Sequence, residues 1–351
     1  MKSIFLFLAM SFLGLSPDGK NLQTADGQPI FLLGTSAGDL LERLPREDTD
    51  RFLDFCSDEG YNLVRVEAAS DVPSINVYGQ RSGTHEYWYH LDYVVQKAEN
   101  NGIYVAIECI DGKAVSEGKM NVELAGAYGK FLGTRYKDKP NVIWIAGPGE
   151  GEWSEVWTAL SESLQAADGN HPVLLSSGED LPSVADKDDV TLRSLAYCSV
   201  FEGARSYTLP IDVLESFNAS KTAPIFSQMK YLRNLMTVFN SPLDVDAREM
   251  TTDGYASCGS DYLLVYSSSD ASFSVDASMV SGTRRHAWWY SPVDGSLQYI
   301  GETKENTVTF SHRGKSFGSP DAVLVLVDWK SSEKIRALKR MNKEQSIVNS
   351  R

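Results

Sequence analysis

IYVAIECIDGKAVSEGKMNVELAGAYGKFLGTRYKDKPNVIWIAG occupies residues 103–147. Two short apolar runs rich in β-branched residues, Ile103–Cys109 and Val142–Gly147, flank Val122–Tyr136, an amphipathic stretch that stops before Pro140. That alternation is the mark of a parallel βαβ unit. Working outward, the same pattern predicts strands at Ile30–Gly34 and Asn62–Glu67 before this unit, and at Pro172–Ser177, Ser194–Phe201 and Ala223–Ser227 after it. Helices fall between them. Pro45 opens one that Gly60 closes, with Glu47 and Asp48 in its first turn and Phe52, Leu53 and Phe55 along it. Tyr87–Asn101 forms another, ending in NNG, and Trp153–Ala167 a further one, stopped by DGN. Seven strands in this order predict an α/β fold, a (β/α) TIM-type barrel over residues 17–250.

Past Asp253 the helices disappear. The runs YLLVYSS, ASFSVDA, RRHAWWYSP, LQYIGE, NTVTFSH and AVLVLVDW follow one another with turn signals between them, which predicts an antiparallel β-sandwich over residues 255–330. Ser241–Gly254 reads as the linker, and residues 331–351 as a basic, solvated tail, since Lys330–Arg351 carries seven Lys and Arg against two Glu. A length of 351 residues suits two such domains. At the other end, Lys2 is followed by the apolar run IFLFLAMSFLGL, with small residues at Gly14 and Ser16. Met1–Ser16 therefore reads as an export signal, and the protein as secreted or periplasmic, with a buried first strand of the mature fold as the alternative. The run is too short to make a transmembrane span of about 20 residues.

A net charge of −14 argues against nucleic acid as a partner, because phosphate backbones are held by clustered Lys and Arg. Cys56, Cys109, Cys198 and Cys258 show no CxxC and no metal-like spacing with the histidines, so they read as buried free thiols. His85 and His90 lie five apart and match no metal spacing. No GxGxxG or GxxxxGK[ST] follows a strand and no GxSxG elbow is present. No cofactor and no metal is implied.

In a parallel barrel the functional face lies at the C-terminal ends of the strands. Glu67, Glu108, Asp111, Glu150, Glu179 and Glu202 all fall there in the predicted alternation. Carboxylates around one rim can supply the pair that glycoside hydrolysis needs, one as acid and one as nucleophile or base. Glu150 with Glu108 or Glu202 are the catalytic candidates; Glu67, Asp111 and Glu179 are substrate-binding candidates. Trp88, Tyr87, Trp144 and Trp153 are the aromatic residues that could offer flat faces to sugar rings, with Trp88 and Trp153 counted among the substrate-binding candidates.

Longer stretches carry a family likeness. DGQPIFLLGTSAGDL, EYWYHLDYVVQKAENNGIYVAIE and AYGKFLGTRYKDKPNVIWIAG resemble the apiosidase-like glycoside hydrolases, a TIM-barrel family of polysaccharide degraders. RRHAWWYSPVDGSLQYIGE, with DYLLVYSSS before it and DAVLVLVDW after it, resembles that family's C-terminal module, which is named for collagen binding. The resemblance implies a catalytic Asp in a GGD at the end of the fourth strand, where this chain reads Gly147, Pro148, Gly149 and then Glu150. It also implies a Glu in a DGEP-like sequence ending the seventh strand, and after Ala223–Phe226 there is none. Thr35 and Gly38 stand where the family has the Asp and Trp of GDTAW.

The barrel is therefore expected to be incomplete or distorted near strands seven and eight, with either Met1–Ser16 or Ala223–Ser227 meeting the gap. Carbohydrate is the expected partner. Three functions are open: a glycoside-hydrolase-like protein without the family's catalytic carboxylates, a glycosidase with relocated ones, or a matrix- or glycan-binding protein acting through the sandwich.

Overall fold

The computed structural model describes residues 10–17, 22–68, 85–148, 151–176, 187–212, 214, 217, 224–240, 247–269, 271–311 and 318–348. The chain divides into two compact units, Met1–Pro29 with Gly34–Ser183 and Thr208–Lys221, and Ile30–Leu33 with Val184–Tyr207 and Thr222–Arg351.

The first unit is built on a six-stranded sheet of half-barrel type. Its strands are β3 (Leu32–Ser36), β4 (Leu63–Glu67), β5 (Tyr104–Glu108), β6 (Val142–Pro148), β7 (Val173–Ser176) and β8 (Ser206–Asp212), in the order β7-β6-β5-β4-β3-β8. The four pairings from β3 to β7 are parallel. The helices between them are α1 (Leu40–Arg43), α2 (Arg46–Asp58), α3 (His85–Asn100), α4 (Gly112–Ser116), α5 (Val122–Tyr136) and α6 (Ser154–Ala167). The first five predicted strands and the four predicted helices are all present.

The last two predicted strands are not. Ser194–Phe201 belongs to α7 (Asp189–Phe201), because Asp188 caps its first turn by accepting from Thr191 N–H, and Leu192, Ala196, Tyr197, Val200 and Phe201 are buried at helical spacing. Ala223–Ser227 runs into α8 (Pro224–Val238), which Pro224 opens at the position where its fixed φ and missing N–H cost nothing. The sixth strand is instead Ser206–Asp212, and Pro210 within it suits its place at an edge of the sheet. It lies beside β3, where the last strand of a closed barrel sits. Gly34 makes that approach possible, since a Cβ there would come within 2.7 Å of Thr208 Oγ1.

Strands β1 (Leu13–Leu15) and β2 (Leu22–Thr24) pair antiparallel ahead of the sheet. Residues 10–16 of the expected export signal thus hold native structure: Leu13 is 1% exposed and the Ser11 carbonyl accepts from Tyr104 Oη at 2.9 Å. Phe12 packs on His171, ring centroids 5.0 Å apart. His171 and Trp144 Nε1 both bond Asp168 Oδ2, at 2.6 and 2.7 Å. Burial alone would raise the Asp168 pKa, but these hydrogen bonds outweigh it and hold the carboxyl below its usual value.

The second unit contains α7, α8, two antiparallel sheets and α9 (Ser332–Val348). The larger sheet joins β9 (Tyr255–Gly259), β10 (Tyr262–Ser267), β12 (Arg285–Tyr290), β13 (Leu297–Thr303) and β15 (Ala322–Asp328) in the order β13-β12-β15-β10-β9, and β11 (Phe273–Asp276) pairs with β14 (Thr307–Phe310). Leu263, Val265, Phe273, Val275, Trp289 and Leu324 form the core between them. On α7, Arg193 makes two hydrogen bonds to the buried Asp321, which also accepts from Tyr266 Oη. The segment expected as a solvated tail is α9, anchored by Leu338 at 1% exposed. All four cysteines are free, three of them buried.

Helices α5 and α6 meet through Gly129 and Gly133. A Cβ on Gly129 would overlap Ser163 Oγ and come within 2.6 Å of the Leu160 carbonyl. Helix propensity alone would make Gly129→Ala stabilising by about 1 kcal/mol. Overpacking reverses the sign, and urea unfolding of Gly129→Ala is expected to show a loss of about 1–3 kcal/mol.

Candidate functional site

The rim of the sheet is assembled by register. Glu67 and Glu108 end β4 and β5 and are direct partners in that parallel pair, as Arg65 and Ala106 are two residues earlier. Side chains alternate between faces, so Arg65, Glu67, Ala106 and Glu108 share one face. Trp144 lies on the opposite face, partnered with Ile107 in register and held by Asp168. Arg65 donates to Glu108 Oε2 through Nε at 3.0 Å and through a terminal nitrogen as well.

Glu67 is held differently. Its N–H donates to the Gly38 carbonyl, and a Cβ on Gly38 would stand 3.0 Å from Glu67 Oε1, so the glycine leaves the carboxyl its space. Burial first, then the charges of Glu108 and Asp111, push the Glu67 pKa up to about 7, against the pull of Arg65. A carboxyl that exchanges a proton near neutrality beside an arginine-bound carboxylate can serve as acid, base or neutral hydrogen-bond donor.

Around this pair the other candidates separate. Asp111 caps α4, accepting from Lys113 N–H at 2.9 Å, and adds negative charge near Glu67. Trp153 stands at the start of α6 with φ of 69°, the only non-glycine residue at positive φ among the described residues, and is 44% exposed. It lines a groove of about 480 Å³ with Met120, Asn121, Val122 and Glu155. A bulky residue held in the left-handed region costs about 1–3 kcal/mol, and such strain gathers where side chains must be presented.

Three expectations are corrected. Glu202 does not end a strand; it is the exposed C-cap of α7 in the second unit. Trp88 is 3% exposed and packs against Tyr87, Tyr128 and Phe131, so it is part of the core and not a surface for ligand. Trp144 is fully buried and its Nε1 is committed to Asp168. Glu150 and Glu179 lie outside the described residues. Arg65 is the site residue that the sequence reading lacks, although the spacing of VRVE and VAIE, each closing a strand, points to paired acids; Gly38 enters there only as a departure from the family pattern.

Comparison with known proteins places both halves of the chain. Residues 16–190 match the family described as "Apiosidase-like, catalytic domain", and residues 243–327 match "Putative collagen-binding domain of a collagenase". A solved structure titled "Glycoside hydrolase" is 28% identical, with a TM-score of 0.77 over 92% of this chain and 98% of its own. A glycoside hydrolase family 5 protein from Bacteroides vulgatus is 29% identical, with a TM-score of 0.76 over 90% of this chain and 94% of its own. No curated protein matches. The likeness read from the sequence is borne out for both parts.

Two outcomes follow from the site's physics. Because the Glu67 pKa is raised in the fold, the neutral group is compatible with folding below about 4.5 and stability drains away as pH rises through about 7. Glu67→Gln is therefore expected to melt higher than wild type at pH 8, the gain vanishing toward pH 4.5, as read by thermal unfolding at each pH. Trp153→Gly is expected to keep an unfolding free energy within about 1 kcal/mol of wild type or above it, although a large aromatic is deleted, because the strain is released.

Proposed function

We propose that this chain, which belongs to the apiosidase-like glycoside hydrolases, is an exported protein that holds a glycan at the C-terminal ends of β4 to β6 without cleaving it through the family's own carboxylate pair. The end of β6 carries this reading. Where the family resemblance implies GGD, the strand closes on Gly147 and Pro148. Gly147 has φ of 98° and a Cβ there would overlap the Trp157 ring, so the first glycine of that motif is kept, while the sequence has Gly149 at the position of its Asp. Among the described residues no strand ends in the glutamate that the resemblance implies for the seventh strand. Hydrolysis needs an acid and a second carboxylate at fixed separation, and removing one costs orders of magnitude in rate.

What remains is suited to binding. Glu67, Glu108 and Asp111 offer hydrogen-bonding oxygens to sugar hydroxyls, and Trp153 offers an exposed ring. Lys2 and the apolar run after it support export with the run retained from about Ser11 onward, since Phe12 and Leu13 are packed in the fold.

A second reading rests on one observation, the pKa of Glu67 at about 7. A protonated Glu67 as acid with Glu108 as its partner would make a working glycosidase with relocated carboxylates.

A panel of plant and bacterial polysaccharides separates the two. Expected are binding by calorimetry that Trp153→Ala weakens about tenfold, which is about 1.4 kcal/mol, and no release of reducing sugar. Turnover abolished by Glu67→Gln would establish the second reading, and turnover abolished by Glu150→Gln would restore a strand-end acid outside β4 and β5; either overturns the first.

A further inference from the structure

The sandwich unit has a groove of its own. On β12, Ala287 and Trp289 enter the core between the sheets, so His286 and Trp288 face the other way. Tyr299 of the edge strand β13 is the register partner of Trp288, and a bulge between Ala287 and Trp288 sits at this point. Bulges re-aim side chains. The Trp288 and Tyr299 ring centroids are 5.4 Å apart with planes tilted by 56°, which makes an angled aromatic floor. Tyr299 is 51% exposed, and its hydroxyl shares a hydrogen bond with His286 Nδ1 at 3.0 Å, fixing the ring's tilt.

Helix α9 supplies the facing wall. Leu338 is buried, and Lys339 and Asn342, three residues apart and so on one side of the helix, line the same cavity of about 440 Å³. That volume is within the range of small-molecule sites, and the pattern of an aromatic floor with a few polar groups at its rim is theirs too.

We propose that this groove is a separate glycan-binding site, taking one or two sugar residues of a neutral polysaccharide. A pyranose or furanose presents apolar C–H faces and a rim of hydroxyls. The C–H face lies on Tyr299, with Trp288, 6% exposed, packed behind it, and the hydroxyls bond Asn342, Lys339 and the His286 ring. Leu297, Ile335 and Leu338 add aliphatic lining, but the exposed surface is the Tyr299 ring with an imidazole, an amide and an ammonium around it, which suits a sugar's C–H face and hydroxyls better than the continuous aliphatic stripe a partner helix needs. A polyanion is disfavoured by the net charge of −14. The site lies wholly in the second unit, so it stands or falls apart from the strand-end cleft.

The test uses the full chain in native gels containing galactomannan, xyloglucan, mixed-linkage β-glucan or arabinogalactan, with a Gly-Pro-Hyp triple-helical peptide assayed by calorimetry. At least one polysaccharide is expected to retard the protein in the Trp153→Ala background, which removes the other cleft's ring. Adding Tyr299→Ala is expected to weaken that retardation about tenfold or more, and Asn342→Ala to weaken it less, with unchanged melting because both side chains are exposed. Tryptophan fluorescence should shift on titration with the retarding glycan and stay fixed in Tyr299→Ala. Retardation by no polysaccharide, equal retardation with and without Tyr299 and Asn342, or Tyr299-dependent capture of the collagen-like peptide in place of glycans would overturn the proposal.

Discussion

The in-register parallel pairing of β4 with β5 places Arg65, Glu67 and Glu108, the centre of the strand-end site. Because Leu63 stands opposite Tyr104 and Glu67 opposite Glu108, Arg65, Glu67 and Glu108 share a face. A slip of one residue in either strand would send that strand's charged groups to the face of Val64, Val66 and Ile107, all fully buried. The register is held from both sides, by those apolar residues on one face and by the Arg65–Glu108 bonds on the other. Burial first, and then the neighbouring charges of Glu108 and Asp111, lift the pKa of Glu67, while the Arg65 guanidinium bonds Glu108.

Gly38 follows from the same constraint. In the family pattern a tryptophan stands at this position, and here its absence leaves room for the Glu67 carboxyl. Thr35, where the pattern has an aspartate, is buried with an unpartnered hydroxyl. The first strand of the sheet thus brings no acid to the rim, while β4 and β5 end in Glu67 and Glu108.

Much of this was legible in the sequence and some was not, for identifiable reasons. The first five strands and the helices between them announce themselves because length, caps and period agree: Pro45 and Gly60 bracket α2, and Val122–Tyr136 is bounded by Asn121 and Pro140. Ser194–Phe201 failed because eight mostly apolar residues have no readable period, so strand and helix look alike until Asp188 is recognised as a cap. Ser206–Asp212 was passed over because Pro210 argues against a strand unless the strand is an edge. Paired acids at the ends of β4 and β5 could be read, since each closes a matching run. The aromatic residues could not be sorted, because Trp88, Trp144 and Trp153 differ in exposure through tertiary packing and not through local pattern.

Strain at the end of β6 connects the fold to what the site can do. Gly147 at φ of 98° is locked by the Trp157 ring, and six residues later Trp153 takes a left-handed conformation that glycine would adopt freely. The chain holds Trp153 in this conformation with its indole exposed, five residues after β6 ends. A turn selected only for stability would place glycine at 153 and tuck the aromatic residue inside. Retaining the exposed ring at a position that glycine would fill without strain is what a surface kept for recognition would require. The same logic applies in the sandwich unit, where Tyr299 leaves a partly apolar ring in solvent on an edge strand that stability alone would make polar.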